Sequence, residues 1–357
     1  MKINKLSLKN YRNIEEISLL PCDGVNIIYG ENAQGKTNLL EGRFLFTGLK
    51  SFRSSKDSEL VKFGSEQARI NVEFSTLSRN QSAEIKITDR RRAALNGVAL
   101  KSPTELMSRF PAAIFSPGFM SLIQNGPSER RKFIDSAICQ IKPKYAVLLS
   151  EYTKLVKQRN AVLKDNDDIK SISLFLECIN DAFCSTGEEI YRQRKEYLDT
   201  LFPFASEIYS GLSSGKEEIG FSYIRKGCHQ ENEEFSHIVK SHERAEINAR
   251  MTLTGPHRDD IEININGVSA RSFGSQGQKR SAAIALKLSE AEVIKSIIGE
   301  EPVILLDDVM SELDTARQDY ILNHIKNRQV FVTCCDVASI LRMGEGKTFN
   351  IKDGRLI

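Results

Sequence analysis

A glycine-rich loop near the N-terminus has the pattern G-x-x-x-x-G-K-T. It consists of Gly30, Glu31, Asn32, Ala33, Gln34, Gly35, Lys36 and Thr37. The glycines let the backbone curl so that successive N–H groups face phosphate oxygens, and the following helix adds partial positive charge. Lys36 would place its ammonium group at the β- and γ-phosphates, and Thr37 would offer a hydroxyl to Mg²⁺. The pattern predicts an ATP-binding site.

Two consecutive acids follow an apolar run far along the chain. Residues 303–306 are typical of a strand buried in a parallel sheet, and ligands of such sheets lie outside the carboxyl ends of the strands. Asp307 would hold Mg²⁺, directly or through water. Asp308 would orient or polarise the attacking water. Together with Lys36, these two acids are the predicted catalytic residues.

A third element is the start of an amphipathic helix predicted for residues 279–295. Ser275, Gly277 and Gln278 precede that helix or open it. A hydroxyl and free N–H groups at a helix start can contact an anion. The alternative for this segment is an ordinary N-capped helix.

Hydrophobic periodicity divides the chain into three parts that would position these residues. Strand-like patterns dominate residues 1–115, long charged amphipathic helices dominate 116–250, and strands alternate with helices in 251–357. The first and third parts would form one α/β head with a mixed sheet, and the second would be an inserted helical arm. The predicted strands are 3–11, 25–29, 68–74, 83–88, 92–95, 98–100, 112–115, 260–265, 302–306 and 329–333. Asn-Gly pairs at 96–97 and 266–267 predict tight hairpins.

The composition is that of an ordinary globular protein, with 40% hydrophobic and 27% charged residues among 357. The net charge is only +3, so a nucleic-acid surface would have to be a local patch. No apolar run is long enough for a membrane span. Seven cysteines without CxxC spacing predict reduced, mostly buried thiols in a cytoplasmic protein, and no cysteine–histidine cluster predicts zinc.

Three basic clusters are candidates for contact with DNA phosphates. The candidate residues are Arg90, Arg91, Arg92, Arg130, Arg131, Lys154, Lys157 and Arg159. The alternatives are a solvated helix face for the cluster around residues 142–164 and an intersubunit or interlobe salt bridge for Arg130 and Arg131. No helix-turn-helix, zinc finger or aromatic platform predicts base reading, so we expect backbone binding.

The loop, the acidic strand end and the Ser275 segment, in this order, resemble the ATP-binding-cassette ATPases. Ser275–Gln278 matches the signature motif of that class, and residues 311–314 match the loop its heads use across their dimer interface. The resemblance implies a head-to-head dimer. In that dimer Ser275 and Gly277 of one subunit contact the γ-phosphate held by Lys36 of the other.

Over essentially its whole length the chain resembles the RecF family of bacterial DNA replication and repair proteins. The matching blocks are 9–13, the GENAQGKTN loop, 51–54, 115–117, 126–135, 255–260 and LLDDVMSELD. The resemblance implies ATP-dependent dimerisation on DNA, loading of recombinase at gaps with RecO and RecR as partners, and support of the SOS response. Separately, we expect Tyr11, Arg12 and Asn13 to contact the nucleotide near its adenine.

The chain differs from transporter ATPases in two ways. Cys334, Cys335 and Asp336 stand where a switch histidine would be, and Asp308 replaces the usual glutamate. A shorter base lies further from the water, so we expect slow DNA-stimulated hydrolysis of about one ATP per minute or slower, against a typical ~1–10³ per second. A transporter ATPase subunit and a non-hydrolysing ATP-dependent scaffold are the alternatives.

His257 and Arg258 follow a Gly-Pro turn and precede a predicted strand. A structural or nucleotide-sensing loop is one hypothesis for them. A buried turn stabilised by Asp–Arg pairing is the other.

Overall fold

The computed structural model describes all residues except 54–55, 77–78, 166–167, 229, 231–232 and 336–345, so Asp336 lies outside the described residues. The chain forms two compact units. One contains Met1–Phe119 and Ile284–Ile357, and the other contains Met120–Ala283. The predicted limits were at 115/116 and 250/251. The second limit differs because two strands after residue 250 pair inside the inserted unit.

The strands of the described residues are β1 (Lys2–Tyr11), β2 (Ile14–Leu19), β3 (Val25–Tyr29), β4 (Ala68–Ser75), β5 (Asn80–Ile87), β6 (Arg91–Leu95), β7 (Val98–Ala99), β8 (Ala112–Phe115), β9 (Ile219–Ile224), β10 (Asp260–Ile265), β11 (Val268–Ser269), β12 (Val303–Asp307), β13 (Val330–Cys334), β14 (Gly346–Lys352) and β15 (Arg355–Leu356). The α-helices are α1 (Lys36–Phe44), α2 (Ser121–Gln124), α3 (Pro127–Ile141), α4 (Pro143–Asp165), α5 (Ile169–Leu212), α6 (Phe235–Ala249), α7 (Ala270–Phe273), α8 (Gln276–Ile298) and α9 (Thr315–His324).

A parallel sheet in the first unit brings distant segments together. Its order is β15-β14-β3-β13-β12-β8, and β14, β3, β13, β12 and β8 run parallel. Every residue of β12 and β13 is buried, as expected for strands covered on both faces. The carboxyl ends of β3, β13 and β12 therefore lie at one edge of the sheet.

An antiparallel sheet forms the other layer of the first unit, in the order β2-β1-β4-β5-β6-β7. β4 alternates strictly between buried and exposed residues, because one face packs on the core. Helix α1 contacts β1 of this sheet and β12 and β13 of the parallel sheet. One hydrophobic cluster includes residues from both sheets and Leu39 and Leu40 of α1, so the core fixes the start of that helix.

The inserted unit is not purely helical. Helices α3 to α6 are accompanied by a small antiparallel sheet of order β11-β10-β9, joined at one end by the predicted Asn266-Gly267 hairpin. The alternating residues of β9 were missed in the sequence, as were β2, β14 and β15. No helix of the described part of the chain is both long and apolar enough to cross a bilayer.

Buried ion pairs stabilise the inserted unit. Arg194 donates two 2.9 Å bonds to Asp135 and a 2.6 Å bond to the carbonyl of Pro256. Arg159 and Glu246 form another pair, and both side chains have no exposed surface. The prediction that Arg159 contacts DNA is therefore wrong, because its guanidinium is enclosed in the core with a carboxylate.

The cysteines were predicted to be mostly buried, and this is also wrong. All seven are free thiols, but only Cys139 and Cys334 are buried, while Cys178 and Cys335 are exposed. The remaining three are half-buried.

Replacing Glu246 by glutamine will show how much the inserted unit depends on the buried pair. The change keeps the side-chain volume but leaves Arg159 buried without a counter-charge. We expect the free energy of unfolding to fall by about 3–5 kcal/mol in denaturant titrations. Glu177→Gln, at an exposed position of α5, is the control and should change it by less than about 0.5 kcal/mol. An equal change in the free energy of unfolding for both variants would contradict the assignment of Arg159 and Glu246 as a stabilising buried pair.

Candidate functional site

The glycine-rich loop, residues 30–37, begins directly after β3 and includes the first two residues of α1. Three of its residues have positive φ angles: Gly30 at 153°, Ala33 at 65° and Gly35 at 110°. Left-handed residues interspersed in a loop turn successive N–H groups toward one side and make an anion-binding concavity. Glu31, Asn32 and Ala33 are exposed, whereas Gln34 is half-buried. The backbone thus has the form that the sequence pattern requires.

Segments from both ends of the first unit support this loop. Asn13 donates from Nδ2 to the carbonyl of Ala33 at 3.1 Å, and its Oδ1 accepts a 2.7 Å bond from Asn38. On another side the Gly354 N–H donates to the carbonyl of Gln34 at 3.1 Å. The loop is therefore held by the β1–β2 turn and by the β14–β15 turn.

Lys36 is 5% exposed and lies folded over its own loop. Its ammonium group donates to the carbonyls of Gly30 at 2.6 Å and Glu31 at 2.9 Å. The Sγ atom of Cys335 lies 3.5 Å from the same nitrogen and donates to Oδ1 of Asn32 at 3.0 Å. The ammonium group is thus held at the mouth of the loop by neutral partners.

Thr37 and Asp307 meet although they are far apart in sequence. The Thr37 hydroxyl donates to Oδ1 of Asp307 at 2.7 Å, and the Thr333 hydroxyl donates to the same oxygen at 2.9 Å. Burial raises the pKa of Asp307, and these two hydrogen bonds offset only part of that shift. Asp308, the next residue, is half-buried and left-handed with φ 56°. A hydroxyl and a carboxylate oxygen are thus side by side next to the glycine-rich loop.

Arg12, predicted near an adenine, lies in an ion pair. Its Nε and Nη2 atoms donate to the buried carboxylate of Glu41 at 3.0 and 2.7 Å. Burial acts to raise the pKa of Glu41, but hydrogen bonds from Arg12 and Ser51 bring it below its usual value. The Arg12 side chain is 21% exposed, and its Nη1 atom donates to the carbonyl of Glu59 at 3.1 Å.

The Ser275 segment belongs to the inserted unit and forms a capping box. The Ser275 Oγ accepts from the N–H of Gln278 at 3.2 Å, and Oε1 of Gln278 accepts from the N–H of Ser275 at 2.8 Å. Nε2 of Gln278 also donates to Glu217 at 2.8 Å, so this side chain is occupied. Ser275 is exposed and Gly277 half-buried in the first turn of α8. The N-cap alternative describes this segment in the structure.

The basic candidates fall into two groups. Arg90, Arg92, Lys154 and Lys157 are exposed, as a phosphate contact requires.

The other candidates have internal partners. Arg91 pairs with Asp57 at 3.0 Å, Arg130 makes a bidentate pair with Asp260, and Arg131 donates to the carbonyl of Asp259. The predictions that Arg91 and Arg130 contact DNA are therefore wrong, because both residues form structural ion pairs. The Arg130–Asp260 pair lies within the inserted unit, whereas the alternative was a pair between subunits or lobes.

His257 and Arg258 are held by hydrogen bonds within the inserted unit. The His257 Nδ1 lies 2.9 Å from the Tyr152 hydroxyl, and burial lowers the pKa of His257 to about 4. Arg258 donates to the carbonyl of Thr252 at 3.0 Å. The turn is thus largely buried, and the expected Asp–Arg pairing is present at its end, where Asp260 pairs with Arg130.

Two residues of the site, Glu41 and Thr333, were missed in the sequence. Asn13 was expected to contact the nucleotide near the adenine, and in the structure it supports the glycine-rich loop. A polar residue ending a buried strand was the available signal for Thr333, the same signal that identified Asp307.

The amino-acid sequence of this chain is similar to those of known proteins. A family profile described as the RecF/RecN/SMC N terminal domain matches residues 2–351. The DNA replication and repair protein RecF of Clostridium acetobutylicum is 37% identical over 366 aligned positions, covering 100% of this chain and 99% of the relative. RecF of Acetivibrio thermocellus is 38% identical over 345 positions, covering 94% of each chain.

Solved structures agree with the sequence comparison. The recombination mediator protein RecF-ATPrS in RecFOR pathway matches with a TM-score of 0.90 at 36% identity, over 99% of this chain and 97% of that one. RecF-ATP in RecFOR pathway matches with a TM-score of 0.88 at 34% identity, over 100% and 97%. An Smc head domain from Pyrococcus furiosus shares the fold, with a TM-score of 0.57 at 17% identity over 100% and 96%.

The fold and the glycine-rich loop define the class: the chain has the fold of an SMC-type ATPase head, with the α/β architecture that the sequence predicted. Within that class, sequence identities of 37% and 38% to RecF proteins, over 94–100% of this chain, identify the family. The chain belongs to the RecF family of DNA replication and repair proteins.

Substituting Gly30 by alanine will test the packing of the loop. A Cβ at Gly30 would lie 2.2 Å from the carbonyl oxygen of Ile351, and φ is +153°. We expect the free energy of unfolding to fall by about 2–4 kcal/mol, from backbone strain and overpacking together. Gly97→Ala is the control, since its φ is +78° with no atom within 4 Å, and should cost only about 1 kcal/mol. If the free energy of unfolding falls by the same amount in both variants, the close approach of Gly30 to Ile351 of β14 does not constrain the loop.

Proposed function

We propose that this chain is an ATP-dependent dimer that binds DNA in replication and repair and is released by slow hydrolysis. The observation that carries the proposal is the 2.7 Å hydrogen bond between Thr37 and Asp307, beside a loop that holds the Lys36 ammonium at its mouth. A hydroxyl, a carboxylate and a lysine in this arrangement are the groups that a metal-bound triphosphate requires.

The residues of the loop would bind the phosphates. The backbone N–H groups of residues 30–37 would hold the phosphate oxygens, and Lys36 would exchange its carbonyl partners for the β- and γ-phosphates. Relatives described as RecF-ATP and RecF-ATPrS support the choice of ATP. Arg12 would contact the nucleotide through the exposed part of its side chain, which is 21% exposed.

The donor set also fits Mg²⁺. Mg²⁺ is usually held by one or two carboxylates together with substrate phosphates, and it would neutralise charge on the transferring phosphate. Thr37 and Asp307 supply two oxygen ligands. No group of three or more His, Cys, Asp or Glu side chains that could hold a metal ion occurs in the described part of the chain. Asp308 is the candidate for orienting water.

Dimerisation would join Ser275 and Gly277 of one subunit to the nucleotide of the other. Ser275 is exposed at the start of a 23-residue helix, where a hydroxyl and the helix dipole favour an anion. Gln278 is a weaker candidate, because its side chain already caps the helix and binds Glu217.

DNA, RecO and RecR are the proposed partners, with recombinase loading and SOS induction as the outcome. One support is that related RecF proteins are described in the RecFOR pathway. The other is the exposed basic set of Arg90, Arg92, Lys154 and Lys157.

Sedimentation with ADP, ATP and a slowly hydrolysed ATP analogue will test the dimer. We expect a monomer with ADP and a dimer with the analogue, and Lys36→Ala should lose nucleotide binding. Ser275→Asp keeps an N-cap acceptor but sets a negative charge against the triphosphate. It should raise the dissociation constant of the dimer about 100-fold or more, because like charges at an interface cost several kcal/mol. ATP binding by the monomer should be retained.

Ser272→Asp is the control for this experiment, because it adds the same charge at an exposed position three residues away. A Ser275→Asp protein that dimerises like wild type would refute the proposed interface. A wild type that binds no ATP would refute the proposed function, and a dimer that never hydrolyses ATP would favour the scaffold alternative.

The exposed lysines of α4 can be tested by charge reversal. Lys154→Glu with Lys157→Glu should weaken binding to gapped duplex and reduce the slope of log affinity against log salt by about 0.9 per lost phosphate contact. The control reverses two other exposed lysines of the same unit, Lys216 and Lys240. Equal slopes for the two double variants, measured by fluorescence anisotropy across a salt series, would exclude α4 from the DNA surface.

A further inference from the structure

Thr333 is a buried threonine near the end of β13, directly beside the last residue of β12. It is 1% exposed and is paired with Asp307 in the parallel register. Its hydroxyl donates to Oδ1 of Asp307 at 2.9 Å and accepts the N–H of Asp308 at 2.9 Å. One hydroxyl thus connects the side chain of the first acid to the backbone of the second.

We propose that Thr333 is a positioning residue of the ATP site, which sets the Asp307 carboxylate for Mg²⁺ and the Asp308 backbone for its role toward water. This inference rests on the proposed function. Thr333 acts through the two acids, since its hydroxyl is used by Asp307 and Asp308.

Two local features explain why a hydroxyl is required. Oδ1 of Asp307 accepts from both Thr37 and Thr333, so the carboxylate keeps one hydrogen bond and its orientation when the Thr37 oxygen turns to a cation. Asp308 has a left-handed backbone at φ 56°, a conformation that costs about 1–2 kcal/mol for a residue other than glycine. The bond from its N–H to Thr333 stabilises this conformation.

Removing the hydroxyl without changing the volume separates positioning from packing. Thr333→Val leaves the Asp308 N–H without its acceptor and Asp307 with one donor fewer. Partners that orient metal ligands typically change metal affinity or activity by 10–100-fold when they are lost. We therefore expect Thr333→Val to raise the Mg²⁺ concentration for half-maximal hydrolysis, or to lower kcat, by about 10–100-fold. Thr333→Ser keeps the hydroxyl and should recover most of the loss.

The control is Thr47→Val. Thr47 is equally buried in the same unit, and its hydroxyl donates to the carbonyl of Phe44 and accepts the N–H of Leu49, away from the acids. The measurements are ATPase rate against Mg²⁺ concentration, affinity for a fluorescent ADP without Mg²⁺, and thermal unfolding. Thr333→Val should bind Mg²⁺-free ADP within about threefold of wild type, because the loop of residues 30–37 is unchanged.

The outcomes are distinct. A Mg²⁺ or kcat defect in Thr333→Val that Thr333→Ser restores and Thr47→Val lacks supports the proposal. An active wild type with Thr333→Val unchanged, or with Thr47→Val equally impaired, overturns this inference and leaves the proposed function standing. A wild type that neither binds nor hydrolyses ATP overturns both.

Discussion

The parallel register of β3, β13 and β12 is the constraint on which the rest of the site depends. Tyr29 lies opposite Cys334, and Thr333 lies opposite Asp307, so the ends of the three strands share one edge of the sheet. The Thr37–Asp307 contact bridges 270 residues and exists only because of this alignment. A slip of one residue between β13 and β12 would turn Thr333 or Asp307 to the opposite face of the sheet. The apolar, fully buried residues of the strands are therefore as necessary to the site as its polar groups.

Lys36 and four arginines of the chain differ in the partners of their charged groups. Arg12, Arg91, Arg130 and Arg159 each contact a carboxylate. Lys36 instead contacts two carbonyls and a thiol, which leave its positive charge unneutralised. Burying a charge against neutral acceptors is less favourable than pairing it. Such a lysine at the mouth of an N–H-lined loop is arranged for an anion, whereas the paired arginines stabilise the fold.

Local patterns predicted the parts of the site that are contiguous in sequence. The glycine-rich loop, the end of β12 and both Asn-Gly hairpins were found because their residues act on neighbours. Thr333 was missed because its partner lies 26 residues away, on a neighbouring strand whose pairing the sequence does not encode locally. Arg159 was misread for a related reason. A basic helix face looks the same in sequence whether it meets water or a buried glutamate of another helix.

Two roles were considered for the Ser275 segment, a helix cap and a contact with an anion. A single serine hydroxyl can fill both roles at once. In the capping box Ser275 Oγ acts as an acceptor, from the N–H of Gln278. A hydroxyl has one proton and two lone pairs, so this bond leaves the proton for donation to an oxygen outside the helix. The cap also fixes the rotamer, and this removes part of the entropy loss that a flexible side chain would incur on binding. An exposed serine that caps its own helix is therefore better prepared to contact the nucleotide of a second subunit than an uncapped one would be.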